Sequence, residues 1–462
     1  MRLESRNTDV VVVGSGMGGL VSAVRALEEG ADVIVLEKGD KVGGTTRVTG
    51  GYIAVDEDAD RNVDLSEPIE DGLQWLEGND VEVNRMQEWE HGESVTSRIR
   101  INPPQFADRM QELIEEMGGE LLTETPFKEL RTDEDGEVTG VVAATPENEP
   151  FEINAPSVVL AAGGRSANGA ILSEYFPHSD LLLGRDPWST GDGYFAAKEV
   201  GAKSTENLSE PIGVTRPSPP AEIAFEDMRC GQIYDTSSIA VTTEGYRFTD
   251  ESASASQSDK FVKDYLKDVE GEVYLIIDQD IYEMDSRYQS TVEERLEMAR
   301  EFGGTVIQTD SLDQLCDKLD AQGVDGDQVH KTITEFNAVV RGERDTALQP
   351  PREGYRDPID RAPFYAVKVL PAILYFVGGL DIDENAQVVS RTVSTSTLPY
   401  KPETNGESAR EPIPGLYAAG VEVGKRTEEG YYGGGLSLGL AAGRVAGEHA
   451  AKRAKQTVSG QH

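Results

Sequence analysis

The most regular pattern of apolar and polar positions lies near the start of the chain. Four consecutive valines, Val10–Val13, precede a glycine, which is typical of a buried strand in a parallel sheet. Apolar residues then recur at helical spacing over 21–27, and Gly30 ends that pattern. A second apolar run over 32–36 ends at Glu37. The chain therefore begins with a predicted βαβ unit.

The turn between the first strand and the helix carries three glycines in the order GxGxxG, at Gly14, Gly16 and Gly19. The first glycine permits a sharp turn, the second lets the backbone approach a pyrophosphate, and the third lets the helix pack on the strand. The amino end of the helix stabilises phosphate charge, and a carboxylate at the end of the second strand accepts hydrogen bonds from ribose hydroxyls. The predicted dinucleotide site comprises Gly14, Gly16, Met17, Gly18, Gly19 and Glu37.

The rest of the chain divides into three parts by its pattern. A helix is predicted over 106–117, with strands over 136–145 and 151–162, and the glycine-rich end of the chain closes on a helix over 436–452. Between 229 and 361 the pattern changes to short strands and amphipathic helices, including 292–302 and 311–319. We predict an α/β fold with a discontinuous Rossmann-like domain, 1–228 and 362–462, and an inserted α+β domain, 229–361.

Charge is the most unusual feature of the composition. The 462 residues include 84 acidic and 43 basic side chains, which gives a formal net charge of −41. Such a surface repels nucleic acid phosphates and anionic lipid headgroups, so neither is an expected partner. The acidic residues are spread along the chain, and arginine is preferred to lysine. This balance indicates adaptation to a cytoplasm of high salt concentration, where screening weakens the self-repulsion.

Cysteine and histidine offer little for redox or metal chemistry. The two cysteines, Cys230 and Cys316, are far apart, and the five histidines show no spacing typical of metal ligands. We therefore expect no metal centre and no disulfide-based electron transfer. The chain has no apolar run of transmembrane length and starts without a signal-peptide pattern, so the default expectation is a cytoplasmic protein.

Further glycine-rich and polar motifs follow along the chain: Lys38-Gly39-Asp40-Lys41-Val42-Gly43-Gly44-Thr45-Thr46, Thr49-Gly50-Gly51-Tyr52, Val158 to Gly164, Ser189-Thr190-Gly191-Asp192-Gly193, Gly245 to Glu251, Pro414 to Gly420, and Gly433 to Leu438. Together they resemble the flavoprotein superfamily of fumarate reductase and succinate dehydrogenase, including its 3-ketosteroid Δ1-dehydrogenase branch. The motifs occur in the family's order and span nearly the whole chain.

This resemblance implies bound FAD, an FAD-binding domain in the two outer segments, and a capping domain in the insertion. Glycine amides approach a planar ring closely, and hydroxyls offer hydrogen bonds to phosphate or flavin. The implied FAD residues beyond the first turn are Lys38, Gly43, Gly44, Thr45, Thr46, Gly50, Gly51, Ala162, Gly163, Gly164, Gly191, Asp192, Gly420, Glu422, Gly434, Gly435, Leu436, Ser437 and Leu438. Family members with covalent flavin carry a histidine near the second Gly-Gly, which this chain lacks, so noncovalent FAD is expected.

The chain departs from the dicarboxylate reductases of this family at the substrate side. The arginine expected after the Arg-Phe-x-x-Glu motif is missing from 252–257, and Tyr375 stands where a substrate-binding histidine is expected. Gly430-Tyr431-Tyr432-Gly433 resembles the Tyr-Pro-Gly-x-Gly loop of ketosteroid dehydrogenases, without the proline. These departures argue against fumarate or succinate as substrate.

A phenol and a glycine amide polarise a ketone oxygen, and a second phenol then exchanges a proton with the adjacent carbon while flavin N5 exchanges a hydride. The candidates are Tyr431 or Tyr432 for polarisation, with Tyr375 and Tyr52 as proton carriers. The reaction is then hydride transfer between flavin and a carbon–carbon bond next to a carbonyl, with a small-molecule substrate and an undefined electron donor or acceptor.

Two alternatives remain open from the sequence. One is a fumarate-reductase-like reductase of enoates or dicarboxylates that uses a rearranged arginine, such as Arg185 or Arg229. The other is a catalytically silent FAD-binding module, because the expected catalytic arginine is absent.

Overall fold

The computed structural model describes residues 3–55, 69–85, 97–178, 180–184, 186–218, 237–255, 260–284, 291–391, 411–424 and 434–459. Its strands are β1 (Ser5–Asn7), β2 (Val10–Val13), β3 (Val33–Leu36), β4 (Tyr52–Val55), β5 (Val83–Arg85), β6 (Ser97–Ile101), β7 (Glu120–Leu122), β8 (Phe127–Thr132), β9 (Val138–Ala144), β10 (Pro150–Asn154), β11 (Ser157–Leu160), β12 (Leu182–Leu183), β13 (Pro211–Pro217), β14 (Ile239–Thr242), β15 (Val273–Ile277), β16 (Val306–Thr309), β17 (Phe364–Phe376), β18 (Gln387–Val389) and β19 (Pro412–Ala418). Its helices are α1 (Met17–Glu28), α2 (Ile69–Gly78), α3 (Pro103–Glu116), α4 (Gly169–Tyr175), α5 (Asp192–Glu199), α6 (Lys260–Asp268), α7 (Gln279–Tyr282), α8 (Val292–Glu301), α9 (Leu312–Asp320), α10 (Gly326–Val340) and α11 (Gly435–Ser459).

A parallel sheet forms the centre of the nucleotide-binding part, with the strand order β18-β19-β11-β2-β3-β7. The strands from β19 to β7 run parallel, and β18 pairs antiparallel at the edge. Helices α1 and α11 pack against each other and against this sheet. Because helices cover the sheet, all four valines of β2 are buried. The predicted βαβ unit and the α/β fold are confirmed.

The strand predicted over 151–162 was wrong, because this stretch forms two strands in different sheets. Strand β10 belongs to a four-stranded sheet in the order β1-β10-β9-β8, whereas β11 lies in the central sheet. Pro156 separates the two strands and has no amide hydrogen to continue a ladder. The apolar run therefore leaves one sheet and enters the other.

A second large sheet is built on β17, a strand of 13 residues. The order is β12-β17-β15-β14, and β13 and β16 also pair with β17. Its core is separate from that of the central sheet and is covered by residues of α8, α9 and α10. Strands β12, β13 and β17 lie in sequence outside the predicted insertion, so segments on both sides of 229–361 complete this sheet.

The helices predicted over 106–117, 292–302 and 311–319 are present as α3, α8 and α9. Thr291 and Glu294 form a capping box at the start of α8. The final helix, α11, is longer than the predicted 436–452. A small sheet, β4-β6-β5, carries Tyr52 at the first position of β4, directly after the second Gly-Gly.

Candidate active site

The turn between β2 and α1 has the geometry of a phosphate cradle. Gly14 has a φ of +98°, and a Cβ there would lie 2.4 Å from the carbonyl oxygen of Ala161. A Cβ on Gly19 would lie 1.9 Å from the carbonyl oxygen of Gly14. A Cβ on Gly16 would meet only Thr46 Oγ1, at 3.8 Å. The first and third glycines are therefore required by packing, whereas the second borders open space at the amino end of α1.

A cavity of about 340 Å³ opens in front of this turn. Of the residues predicted to bind FAD, the lining includes Gly14, Gly16, Met17, Gly18, Glu37, Lys38, Gly44, Thr45, Thr46, Gly50, Gly51, Ala162, Gly163, Asp192, Gly420, Gly434, Gly435 and Leu436. The structure thus brings together residues from segments that are far apart in sequence. The predicted residues outside the lining are Gly19, Gly43, Gly164, Gly191, Glu422, Ser437 and Leu438.

Glu37 lies where β3 ends, and its carboxylate is buried. Its Oε2 accepts a hydrogen bond of 3.0 Å from the Ser15 amide and a second from the Ser15 hydroxyl, and its Oε1 accepts one of 2.7 Å from the Gly39 amide. Burial raises the pKa of the Glu37 carboxyl, and these donors act in the opposite direction. They hold the carboxylate in place at the edge of the cavity.

Glu422 is the most deeply buried acid next to the cavity, in the turn after β19. Its Oε2 accepts a hydrogen bond of 3.2 Å from the Gly164 amide, and Oε1 has no hydrogen-bond partner among the described residues. Burial raises the pKa of this carboxyl to about 7. Glu422 directly follows Gly420 and Val421, which line the cavity, and is not itself part of the lining.

Two of the predicted catalytic tyrosines, Tyr52 and Tyr375, line the same cavity. Tyr375 lies near the end of β17 and pairs with Ile212 of β13. The side chains of Ile212, Val214 and Leu374 give this part of the lining an apolar character. Tyr431 and Tyr432, and the alternative arginines Arg185 and Arg229, lie outside the described residues.

Arg100 is a positively charged residue close to this end of the cavity. It was not predicted from the sequence as part of the site. It is the cross-strand partner of Tyr52, and its guanidinium carbon lies 5.5 Å from the centroid of the Tyr52 ring. Its Nε donates a hydrogen bond of 2.8 Å to the Gly50 carbonyl oxygen. Arg247, which the family motif includes, instead forms a buried ion pair with Glu251.

Other lining residues were not among the predicted site residues, although Thr49, Ala161 and Ser189 stand inside the recognised motifs. They are Val13, Ser15, Leu36, Thr49, Phe127, Ala161, Asp186, Trp188, Ser189, Ile212, Gly213, Val214, Leu374 and Val421. Ser15 stands inside the glycine motif, and Asp186 and Trp188 directly precede the Ser-Thr-Gly-Asp-Gly motif, so proximity to a motif was an available signal. Residues 212–214 reach the cavity only through the pairing of β13 with β17, for which the sequence carries no local signal.

These residues fit FAD. The cradle would offer backbone amides and open space to a pyrophosphate, and Glu37 would offer a buried acceptor to ribose hydroxyls. The lining continues past Thr45 and Gly50 to Tyr52. When bound, the flavin supplies two-electron chemistry at its N5 atom.

The relatives of the chain are oxidoreductases. A probable fumarate reductase, Ifc3, of Shewanella frigidimarina is 26% identical over 97% of this chain and 76% of that protein. A urocanate reductase of Eggerthella lenta is 26% identical over 96% of this chain and 75% of that protein. Some relatives are longer, since the chain spans half of an NADH:acrylate oxidoreductase of Vibrio harveyi.

Solved structures share the fold. A 3-ketosteroid Δ1-dehydrogenase from Sterolibacterium denitrificans superposes with a TM-score of 0.72 at 19% identity, over 97% of this chain and all of that one. In the described part of the chain, no helix combines the length and apolar character needed to cross a membrane.

The family model described as FAD binding domain matches residues 9–86 and 69–438, which is most of the chain. The chain therefore belongs to this FAD binding domain family and is a flavin-dependent oxidoreductase.

Proposed function

We propose that the enzyme transfers hydride between flavin N5 and a carbon–carbon bond next to a ketone carbonyl. The proposal rests on one observation: Tyr52 and Tyr375 line the same cavity as the apolar residues Ile212, Val214 and Leu374, which we call the apolar wall. Among the described lining residues the basic side chain is Lys38, and it is bonded to Asp192. A ketone needs only a hydrogen-bond donor in such a site, whereas a buried carboxylate without a cation costs several kcal/mol.

In this proposal Tyr375 exchanges the proton with the carbon next to the carbonyl, and Tyr52 is the alternative proton carrier. A phenol of the 431–432 pair polarises the carbonyl oxygen, a role that rests on the sequence resemblance alone. The apolar wall of Ile212, Val214 and Leu374 supports an extended or cyclic hydrocarbon skeleton, because it buries apolar surface without demanding polar partners. Ketosteroid-like compounds are members of this substrate class.

A second candidate is an enoate reductase that binds a carboxylate. The relatives named for fumarate and urocanate favour it, and so does the position of Arg100 over the Tyr52 ring. An arginine supplies the paired hydrogen bonds that a carboxylate accepts. The variant Arg100→Gln distinguishes the two candidates. If the enzyme binds a carboxylate, the variant should lose turnover of an enoate. If the enzyme binds a ketone, the variant should turn over an uncharged enone within a few-fold of the wild-type rate.

The experiment that tests the proposal compares substrates on the purified flavoprotein with an artificial electron acceptor or donor. We expect cyclic enones and 3-ketosteroids to perturb the flavin absorbance and to turn over, and fumarate and succinate to do neither. Robust turnover of fumarate, with no response to any ketone, would replace the ketone proposal by the enoate one.

We also propose that FAD is bound noncovalently and that the enzyme works in a cytoplasm of high salt concentration. The absence of a histidine in the sequence near Gly50 and Gly51 supports the first proposal, and the net charge of −41 supports the second. Acid precipitation should release free FAD into the supernatant. Flavin that stays with the precipitate would contradict the noncovalent binding.

A further inference from the structure

We call residues 186–192 the strap. Of these, Asp186, Trp188, Ser189 and Asp192 line the same cavity as Glu37. Hydrogen bonds at both ends of the strap hold it against loops of the central sheet. At one end, the Thr45 hydroxyl donates a hydrogen bond to Asp186 Oδ2. At the other end, Lys38 Nζ donates hydrogen bonds of 2.8 Å to Thr190 Oγ1 and 2.9 Å to Asp192 Oδ2. Both partners, Thr45 and Lys38, are themselves lining residues of the cavity.

Trp188 occupies the middle of the strap. Its amide donates a hydrogen bond of 2.9 Å to Asp186 Oδ1, which fixes its backbone. A Cβ on Gly39 would lie 2.8 Å from the indole Nε1 and 3.3 Å from Glu37 Oε1, so the indole packs directly on the turn that follows Glu37. The Lys38 ammonium lies 6.0 Å from the centroid of the indole ring. Trp188 as a whole residue is nevertheless 44% exposed, and it lines the cavity.

The position of Glu37 indicates which half of FAD meets this ring. A carboxylate at the end of the second strand of a βαβ unit accepts hydrogen bonds from the ribose of the adenosine half, whereas the flavin half extends toward Gly50 and Tyr52. Trp188 is therefore next to the adenosine half. An indole offers an apolar face on which a base or ribose packs, and aromatic packing of this kind does not depend on the flavin.

We propose that Trp188 covers the adenosine half of bound FAD and that the strap sets how tightly the cofactor is retained. The proposal concerns the cofactor and is independent of the substrate class. Phe127, in strand β8, lines the same cavity. A base in this region therefore has two aromatic side chains to pack against, Trp188 in the strap and Phe127 in the strand. In a chain that binds FAD without a covalent bond, such a cover reduces loss of the cofactor.

The test uses the full chain, freed of flavin and titrated with FAD, ADP and FMN. FAD and ADP carry the adenosine, whereas FMN has the flavin ring and phosphate without it. We expect Trp188→Ala to weaken FAD and ADP binding by roughly 10-fold, the scale for removal of an aromatic side chain from a base. FMN affinity should stay unchanged, and Trp188→Phe should retain most of the affinity for all three ligands.

Tryptophan emission provides a readout other than affinity. ADP should quench the emission of the wild-type chain and of the control Trp75→Phe, because Trp75 lies on α2 with its Nε1 bonded to Glu28. The same quenching should be absent in Trp188→Phe. Wild-type FAD affinity in Trp188→Ala would overturn the proposal, and so would an equal loss of FAD and FMN affinity, since that pattern indicates a general disturbance of the site.

Discussion

The amide of Met17, at the first turn of α1, donates a hydrogen bond of 2.9 Å to the hydroxyl of Thr46. This bond joins the glycine turn after β2 to the second glycine segment, 29 residues later in the sequence. Gly16 precedes α1 without a side-chain cap, so the Thr46 hydroxyl satisfies an amide that would otherwise have no partner within the helix.

Thr46→Val should weaken FAD binding and lower stability by about 1–3 kcal/mol, because it leaves the Met17 amide without its partner. Thr46→Ser is the matched control, since it keeps the hydroxyl and should behave nearly as the wild type. Urea unfolding and FAD titration measure the two effects. If the valine and serine variants bind FAD equally well, the hydroxyl does not organise the cradle.

Gly16→Val should fold but purify without colour. A Cβ at this position meets only Thr46 Oγ1, at 3.8 Å, so the added side chain has room in the chain and projects toward the space for pyrophosphate. Gly14→Val provides the contrast, because its Cβ would collide with the Ala161 carbonyl and disrupt folding itself. Flavin absorbance per chain and the thermal midpoint separate the two outcomes. A yellow Gly16→Val protein would show that the phosphate site has been misplaced.

Glu422→Gln should change how stability depends on pH. The Glu422 carboxyl has a pKa of about 7 in the folded chain against 4.5 for the free side chain, so the folded state binds the proton more tightly. Its contribution to stability is therefore fully present below pH 4.5 and is lost as pH rises through about 7, a change of up to about 3 kcal/mol. The glutamine variant keeps a neutral side chain and should lack this loss.

Denaturant unfolding of both proteins from pH 5 to pH 8 provides the measurement for Glu422. The wild type should lose stability relative to the variant across this range, because the ionised carboxylate is buried. Parallel curves would mean that Glu422 titrates at its ordinary pKa and is not buried as the structure has it.

Folding should depend on salt, because the net charge of −41 repels itself at low ionic strength. The thermal midpoint should rise across a series of potassium chloride concentrations at fixed pH. Sucrose at matched osmolality is the control, since it does not screen charge. A flat response to potassium chloride would remove the proposal of a high-salt environment and leave the flavin assignment unchanged.

The sequence predicted the glycine-turn part of the cavity lining better than its apolar wall. Gly14, Gly16 and Glu37 are close in sequence and lie on one βαβ unit, so local rules place them together. Ile212 and Val214 reach the cavity only because β13 pairs with β17, more than 150 residues away, with a shift in register between Ile212 and Gly213. Arg100 was missed for the same reason, since its position depends on the pairing of β6 with β4.

The sequence also failed to predict that residues 151–162 form parts of two strands, and the reason was different. Apolar periodicity predicts that a stretch is extended, but it does not show which sheet receives each half. Pro156 was the available signal for the break. Only the first part of the strap was missed, because Asp186 and Trp188 belong to no regular pattern. Gly191 and Asp192, at its other end, were predicted from the motif that follows Trp188.

The central claim, that a phenol at Tyr375 serves carbonyl chemistry at the flavin, is tested most directly by the rate of flavin reduction or reoxidation by an enone or ketone in Tyr375→Phe. The control is Tyr365→Phe on the same strand, because the Tyr365 hydroxyl bonds to Gln279 and is not part of the described cavity lining. We expect Tyr375→Phe to keep its FAD and to lose about 100-fold in the chemical step, the usual scale for a general acid or base, while the control keeps the wild-type rate. Full activity in Tyr375→Phe would contradict the account.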